Sequence, residues 1–150
     1  MTLDEVGEDA ALPRGVTAHD TGLGQFQVEI HTAGVVILAD EPVDFGGLGS
    51  GPSPHQLVAS GLAACTTMTL RMYARRKGWP LESVRVFVVH SGPVHGGRDR
   101  FAREIILEGT LDDDQRRRLL EIADRCPVHL TLERGSDIVT RLDGPQGSSE

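Results

Sequence analysis

The sequence predicts an α+β fold, and three observations carry that expectation. An alternating strand-like run and a β-branched apolar run flank a tight turn before residue 40. A long uncharged stretch beginning at Ser53 reads as a helix. A second pair of β-rich runs then leads into a capped helix, giving the order β-β-α-β-β-α-β without internal repeats. At 150 residues the chain is long enough for one domain with a real core. That domain is expected over 14–143, between a flexible acidic lead-in at 1–13 and a flexible tail at 144–150.

Phe26, Val28 and Ile30 alternate with Gln25, Gln27, Glu29 and His31, the period of a half-buried strand. Ala33-Gly34 marks a turn, and Val35 to Leu38 reads as the returning strand of an antiparallel hairpin, with an earlier strand possible near Val16. From Asp40 to Pro52 the chain is glycine-rich. Gly46 to Gly51 lacks the Lys-Ser/Thr pair of a phosphate loop and the spacing of a dinucleotide fingerprint, so it is expected as a crossing loop that needs positive φ.

Ser53 suits an N-cap and Pro54 the first helical position. No Asp, Glu, Lys or Arg occurs from His55 to Leu70, which predicts a helix buried on every side. It is too short and too rich in Ser and Thr for a membrane span. The helix should run to Arg75-Arg76-Lys77, cations at the negative end of its dipole, and stop at Gly78. Strands are expected over Val84 to His90 and Phe101 to Leu111, with Phe101, Arg103, Ile105 and Leu107 on one face. Asp112 and Gln115 form a capping-box pattern for a second helix ending near Arg125. Pro127 predicts a short helical turn with Cys126 at its N-cap, and a last strand is expected from Asp137 to Leu142.

A net charge of −7 and a pI near 5.3 argue against a nucleic-acid partner, which needs a basic face. The N-terminal residues lack the charge and apolar pattern of a secretory signal, so a cytoplasmic location is expected. Two cysteines there are more readily thiols or a working redox pair than a permanent staple.

Cys65 and Cys126 stand 61 positions apart, which is neither a zinc knuckle nor a CxxC motif. Cys65 fits either a small core hydrophobe or a working thiol. Cys126, at a helix N-cap, sits where partial positive charge favours a thiolate, although a plain corner cysteine fits as well. If the two sulfurs meet, a peroxide could oxidise one to a sulfenic acid that the other resolves as a disulfide. That cycle needs no metal or organic cofactor. Zinc held by Cys65, Cys126, His129 and His55 is the competing chemistry. His19, His31, His90 and His95 show no shared face in the sequence and are expected as solvated or satisfied residues. No G-x-S-x-G elbow supports a serine hydrolase.

Four blocks together resemble one family: Gly51-Pro52-Ser53-Pro54; Leu62-Ala63-Ala64-Cys65-Thr66; Met68 to Ala74 with Lys77-Gly78-Trp79-Pro80-Leu81; and Leu119 to His129 around Cys126-Pro127. They resemble the OsmC/Ohr family, its general OsmC-like branch more than the organic-hydroperoxide-resistance branch. The resemblance runs from about Glu41 to Leu142. It implies a two-layer α+β fold, antiparallel sheets around a long buried central helix, completed as an intertwined homodimer with sites at the interface. By the family pattern Cys65 matches the peroxidatic cysteine and Cys126 the resolving one. The implied activity is thiol-dependent reduction of organic hydroperoxides, with a dithiol such as a lipoyl group as reductant and no cofactor.

Two features depart from the pattern. His55 stands ten residues before Cys65, where the peroxidase branch carries a glutamate, and Thr21 to Gln25 lacks that branch's hairpin arginine. A substitute cation is expected from Arg14, Arg71 or a second subunit. Val58, Leu62, Met68 and Met72 are expected to wall a pocket that favours alkyl hydroperoxides, each buried methylene contributing up to about 0.8 kcal/mol. His55 is a candidate for its mouth. The alternatives are a non-catalytic protein that binds a small apolar or thiol ligand, and a zinc-binding or redox-sensing thiol protein.

Overall fold

In the computed structural model, which describes residues 14–142, eight regular elements follow one another in the order β-β-β-α-β-β-α-α. The expected lead-in at 1–13 and tail at 144–150 lie outside the described residues. Strands β1 (Thr17–Asp20), β2 (Val28–Thr32) and β3 (Val35–Ala39) form one antiparallel sheet in that order. The β2–β3 hairpin is closed by Ala33 and Gly34 at φ of 49° and 76°, the paired positive values that match the twist of a two-residue hairpin loop. Thr32 faces Val35 and Val28 faces Ala39 in the resulting register. The strand expected near Val16 is β1, paired with β2.

The crossing loop is organised by a buried carboxylate. Asp40 accepts N–H bonds from Glu41 (2.8 Å), Leu48 (3.1 Å) and Ser50 (3.3 Å), and a 2.6 Å bond from the Ser50 hydroxyl. The Ser50 bond holds its carboxyl below the ordinary 3.8; the backbone donors act in the same direction, against desolvation. Gly51 is dictated by space, because a Cβ there would fall 2.1 Å from the Leu38 carbonyl oxygen.

Helix α1 (Pro54–Lys77) is about 36 Å long. Ser53 and Gln56 form a reciprocal capping box, and Gly78 at φ 68° closes the C-terminus, so both ends fall where the sequence puts them. Its burial differs from the sequence expectation. Ala59, Leu62, Thr66, Leu70 and Ala74, spaced by three and four, form a single buried stripe, whereas Val58, Met68 and Met72 are exposed. The lack of charge from 55 to 70 therefore marks two apolar faces, of which the described chain covers one.

Strands β4 (Leu81–Ser91) and β5 (Arg100–Gly109) pair antiparallel over their full length, and α1 packs on them. Val84, Ile105 and Leu107 meet a core of Leu70, Ala74, Leu119, Ile122 and Ala123. Helix α2 (Asp113–Ala123) starts with the Asp112–Gln115 capping box and stops at Ala123, two residues before the expected end. Helix α3 (Pro127–Arg134) begins after Cys126, as expected.

The strand expected over Asp137 to Leu142 does not form. Ile138, Val139 and Leu142 are exposed and no strand pairs with them. β-Branched propensity makes a strand only where an edge is available to complete its hydrogen bonds. Among the described residues no helix is long and apolar enough to cross a membrane.

Candidate functional site

Cys65 sits near the middle of α1, on the boundary between its buried stripe and its exposed face. A helix turns 100° per residue, so Val58, Met68 and Met72, at −7, +3 and +7, share the Cys65 side. Leu62 and Thr66 lie on the inward side. Cys126 is fully buried at the α2–α3 corner, where its N–H donates to the Ala123 carbonyl and its carbonyl accepts from Leu130. Both cysteines are free, and Cys65 lies close enough to Cys126 to act on its thiol. The fold thus brings together two thiols that the chain separates by 61 positions.

Burial, followed by the neighbouring Cys65 side chain, pushes the Cys126 thiol above its ordinary 9.0. The backbone N–H groups of His129 and Val128 act the other way and are outweighed. The helix start therefore does not make Cys126 the readier thiolate, because desolvation at a fully buried corner exceeds the gain from two backbone dipoles.

A cation outside the expected set, Arg103, ties together the segments that bear the two cysteines; it shares one face of β5 with Phe101, Ile105 and Leu107, as the sequence predicts. Its Nη1 donates to Thr66 Oγ1 at 3.0 Å and to the Ala123 carbonyl at 3.3 Å, and its Nη2 donates to Asp124 Oδ1 at 3.0 Å. The side chain is 11% exposed and so is held among these partners, one residue from Cys65 on α1 and two from Cys126 at the corner. The signal was a charged residue alternating in phase with Phe101, Ile105 and Leu107. Arg71 turns elsewhere, donating to the Glu82 carbonyl at 3.4 Å.

A cleft of about 500 Å³ opens beside Arg103, with Leu62, Phe101, Ile105 and Leu120 as apolar walls and Asp124 and His129 at its polar side. Of the expected pocket residues, Leu62 lines this cleft, while Met68 and Met72 line a separate groove with Arg71 and Trp79. His55 lies at the first turn of α1, about 15 Å along the axis from Cys65. Its ring stacks on His90 at 4.2 Å and 1°, and His90 Nε2 lies 3.2 Å from Asp99 Oδ1. His129 Nε2 faces Glu133 at 2.8 Å. The four residues of the zinc alternative, Cys65, Cys126, His129 and His55, are not gathered about one point.

Two histidines expected to share no face do share one. His19 and Glu29 are cross-strand neighbours and His31 lies two residues beyond Glu29, so all three stand on one side of the first sheet. That relation depends on strand register, which alternation along a single strand does not reveal.

A family model described as OsmC-like protein matches residues 47–141. Solved structures share the fold. An OsmC-like protein from Mycoplasma pneumoniae superposes with a TM-score of 0.67 at 21% identity, covering 80% of this chain and 86% of that one. An organic hydroperoxide resistance protein OsmC from Legionella pneumophila gives 0.59 at 26% identity, covering 77% and 85%. The organic hydroperoxide resistance protein OhrB of Bacillus subtilis gives 0.55 at 23% identity, covering 78% and 88%. Comparison with proteins of curated function returned no significant match. With the matched segment spanning α1, both cysteines and the β4–β5 sheet, the chain belongs to the OsmC-like family.

Proposed function

We propose that the protein reduces organic hydroperoxides with its two thiols, Cys65 reacting first and Cys126 resolving. The proximity of two free cysteines so remote in sequence is the observation that carries this reading. The Cys65 thiolate attacks the distal peroxide oxygen, the O–O bond breaks, and the alcohol leaves with a proton. Cys65 is then a sulfenic acid. The Cys126 sulfur attacks it, water departs, and a disulfide joins the two residues. An external dithiol, a lipoyl group by the family pattern, returns both thiols by exchange. Hydroperoxide and two thiol hydrogens thus become alcohol, water and a disulfide.

The difference between the cysteines supports the order. Cys65 is partly exposed, whereas Cys126 is buried and kept protonated by its surroundings. Arg103 supplies positive charge to the two segments that carry the pair, through Thr66 next to Cys65 and Asp124 near Cys126. The exposed Val58, Met68 and Met72, on the Cys65 side of α1, support an active form in which a second copy covers that face. The protein would work in the cytoplasm, where both cysteines stay reduced between cycles.

A ligand-binding role without turnover is the second reading, and His55 favours it. It stands where the peroxidase branch has a carboxylate and is engaged with His90. Consumption of an alkyl hydroperoxide with a dithiol reductant separates the two. Turnover that is abolished by Cys65→Ser supports the peroxidase; no turnover with any alkyl hydroperoxide supports the binder.

A further inference from the structure

On the first sheet, away from the cysteines, three side chains converge on one point. Because β1 and β2 run antiparallel with His19 opposite Glu29, and His31 follows Glu29 by two, the three side chains stand on the same face of the strand pair. The His19 and His31 Nε2 atoms are 3.2 Å apart, and Glu29 Oε2 lies 3.3 Å from His31 Nε2 and 3.4 Å from His19 Nε2. Among the described residues this is the one group of at least three His, Cys, Asp or Glu side chains whose donor atoms converge so closely.

We propose that His19, Glu29 and His31 form a binding site for a divalent late first-row cation, with Zn2+ as its representative. The spacing carries the argument. Metal bonds of about 2.0–2.2 Å in tetrahedral geometry place neighbouring ligand atoms about 3.3–3.6 Å apart. The observed triangle of 3.2, 3.3 and 3.4 Å is one face of such a tetrahedron. A cation set above that face would bond all three atoms with little movement of the strands.

The protonation pattern agrees. His19 Nδ1 lies 3.3 Å from the Asp20 carbonyl, which can only accept, so Nδ1 carries the proton and the Nε2 lone pair is left for a metal. Two imidazole nitrogens this close cannot both point protons at each other; the His31 Nε2 proton goes to His19 Nε2 or to Glu29, and a cation takes its place. Two imidazoles and one carboxylate select Zn2+, Ni2+ or Cu2+ over Mg2+ and Ca2+, which take oxygen ligands. The side chains are 53%, 46% and 38% exposed for His19, His31 and Glu29, so solvent reaches the fourth position and water completes the shell. The bound cation would fasten β1, a four-residue strand exposed along its whole length, to β2.

The test is a calorimetric titration of the metal-stripped full chain with Zn2+, repeated on the Cys65→Ser/Cys126→Ser double variant to remove thiolate ligands. One equivalent per chain is expected in both, lost in His19→Gln and His31→Gln, which keep polar surface side chains, and weakened at least about tenfold in Glu29→Gln. Loaded with Co2+, the site should show visible d–d bands without a thiolate charge-transfer band. Hydrogen exchange at Thr17 to Asp20 should slow on adding Zn2+. The site is excluded if the folded chain takes up no Zn2+, if uptake survives His31→Gln, if it vanishes in the double cysteine variant, or if Co2+ shows a thiolate band.

Discussion

Arg103 Nη1 donates to Thr66 Oγ1 at 3.0 Å and so ties the inner face of β5 to the helix turn that carries Cys65. Thr66 is fully buried and gives its own proton to the Leu62 carbonyl at 2.7 Å, leaving its oxygen free to accept from the guanidinium. The same guanidinium closes the C-terminal end of α2 through Ala123 and Asp124, just before Cys126. One side chain therefore fixes the spacing of the two segments that bear the cysteines.

Arg103→Ala should loosen this joint. It leaves the Ala123 carbonyl without that donor and removes three charge-assisted bonds, for a loss of about 1–3 kcal/mol in urea unfolding. The rate of Cys65 oxidation by an alkyl hydroperoxide should fall about tenfold, equivalent to about 1.4 kcal/mol of barrier. Arg103→Lys should recover part of the oxidation rate, because it restores charge without the fork that reaches three partners.

Cys126 should report its burial through pH. Its folded pKa is raised above 9.0, so the stabilisation of the protonated thiol is fully present below that value and is lost as pH rises through the raised one. Unfolding midpoints in urea should fall at alkaline pH in the wild type and fall less in Cys126→Ala. At neutral pH iodoacetamide should label Cys65 well before Cys126, as peptide mapping would show.

Asp40 should behave in the opposite sense. Its carboxyl is held below 3.8, so the stability it contributes is present above 3.8 and is lost as pH falls through the lowered value. Asp40→Asn should lower the thermal midpoint at neutral pH, and the gap from wild type should close as acid protonates the native residue.

Leu70 and Leu119 are both fully buried in the core cluster between α1, α2 and the second sheet. Truncating either to Ala should cost about 2–5 kcal/mol in equilibrium unfolding. Met68→Ala, at a 70% exposed position, should cost the isolated chain little. Destabilisation of Met68→Ala that grows with protein concentration would instead report coverage of that face by a second copy.

What could be read from the sequence was local. Ser53, Pro54 and Gly78 bounded α1, Asp112 with Gln115 began α2, and Pro127 placed Cys126 at a helix start, because capping chemistry acts over three or four residues. Relations across the fold were not legible. Arg103 meets Thr66 over 37 positions, and His19 meets His31 only through strand register. The uncharged run from His55 to Leu70 revealed apolarity but not which face the chain itself covers. Ile138 and Val139 had strand propensity without a strand to join.

The central claim is that Cys65 and Cys126 form one redox unit, and the most direct measurement is mass-spectrometric peptide mapping after one equivalent of an alkyl hydroperoxide. The account predicts a Cys65–Cys126 linked peptide within each chain, absent from Cys126→Ser, in which Cys65 stops as a sulfenic acid that a dimedone-type probe captures. Both thiols recovered unchanged, or Cys65 oxidised further while native Cys126 stays free, would contradict it.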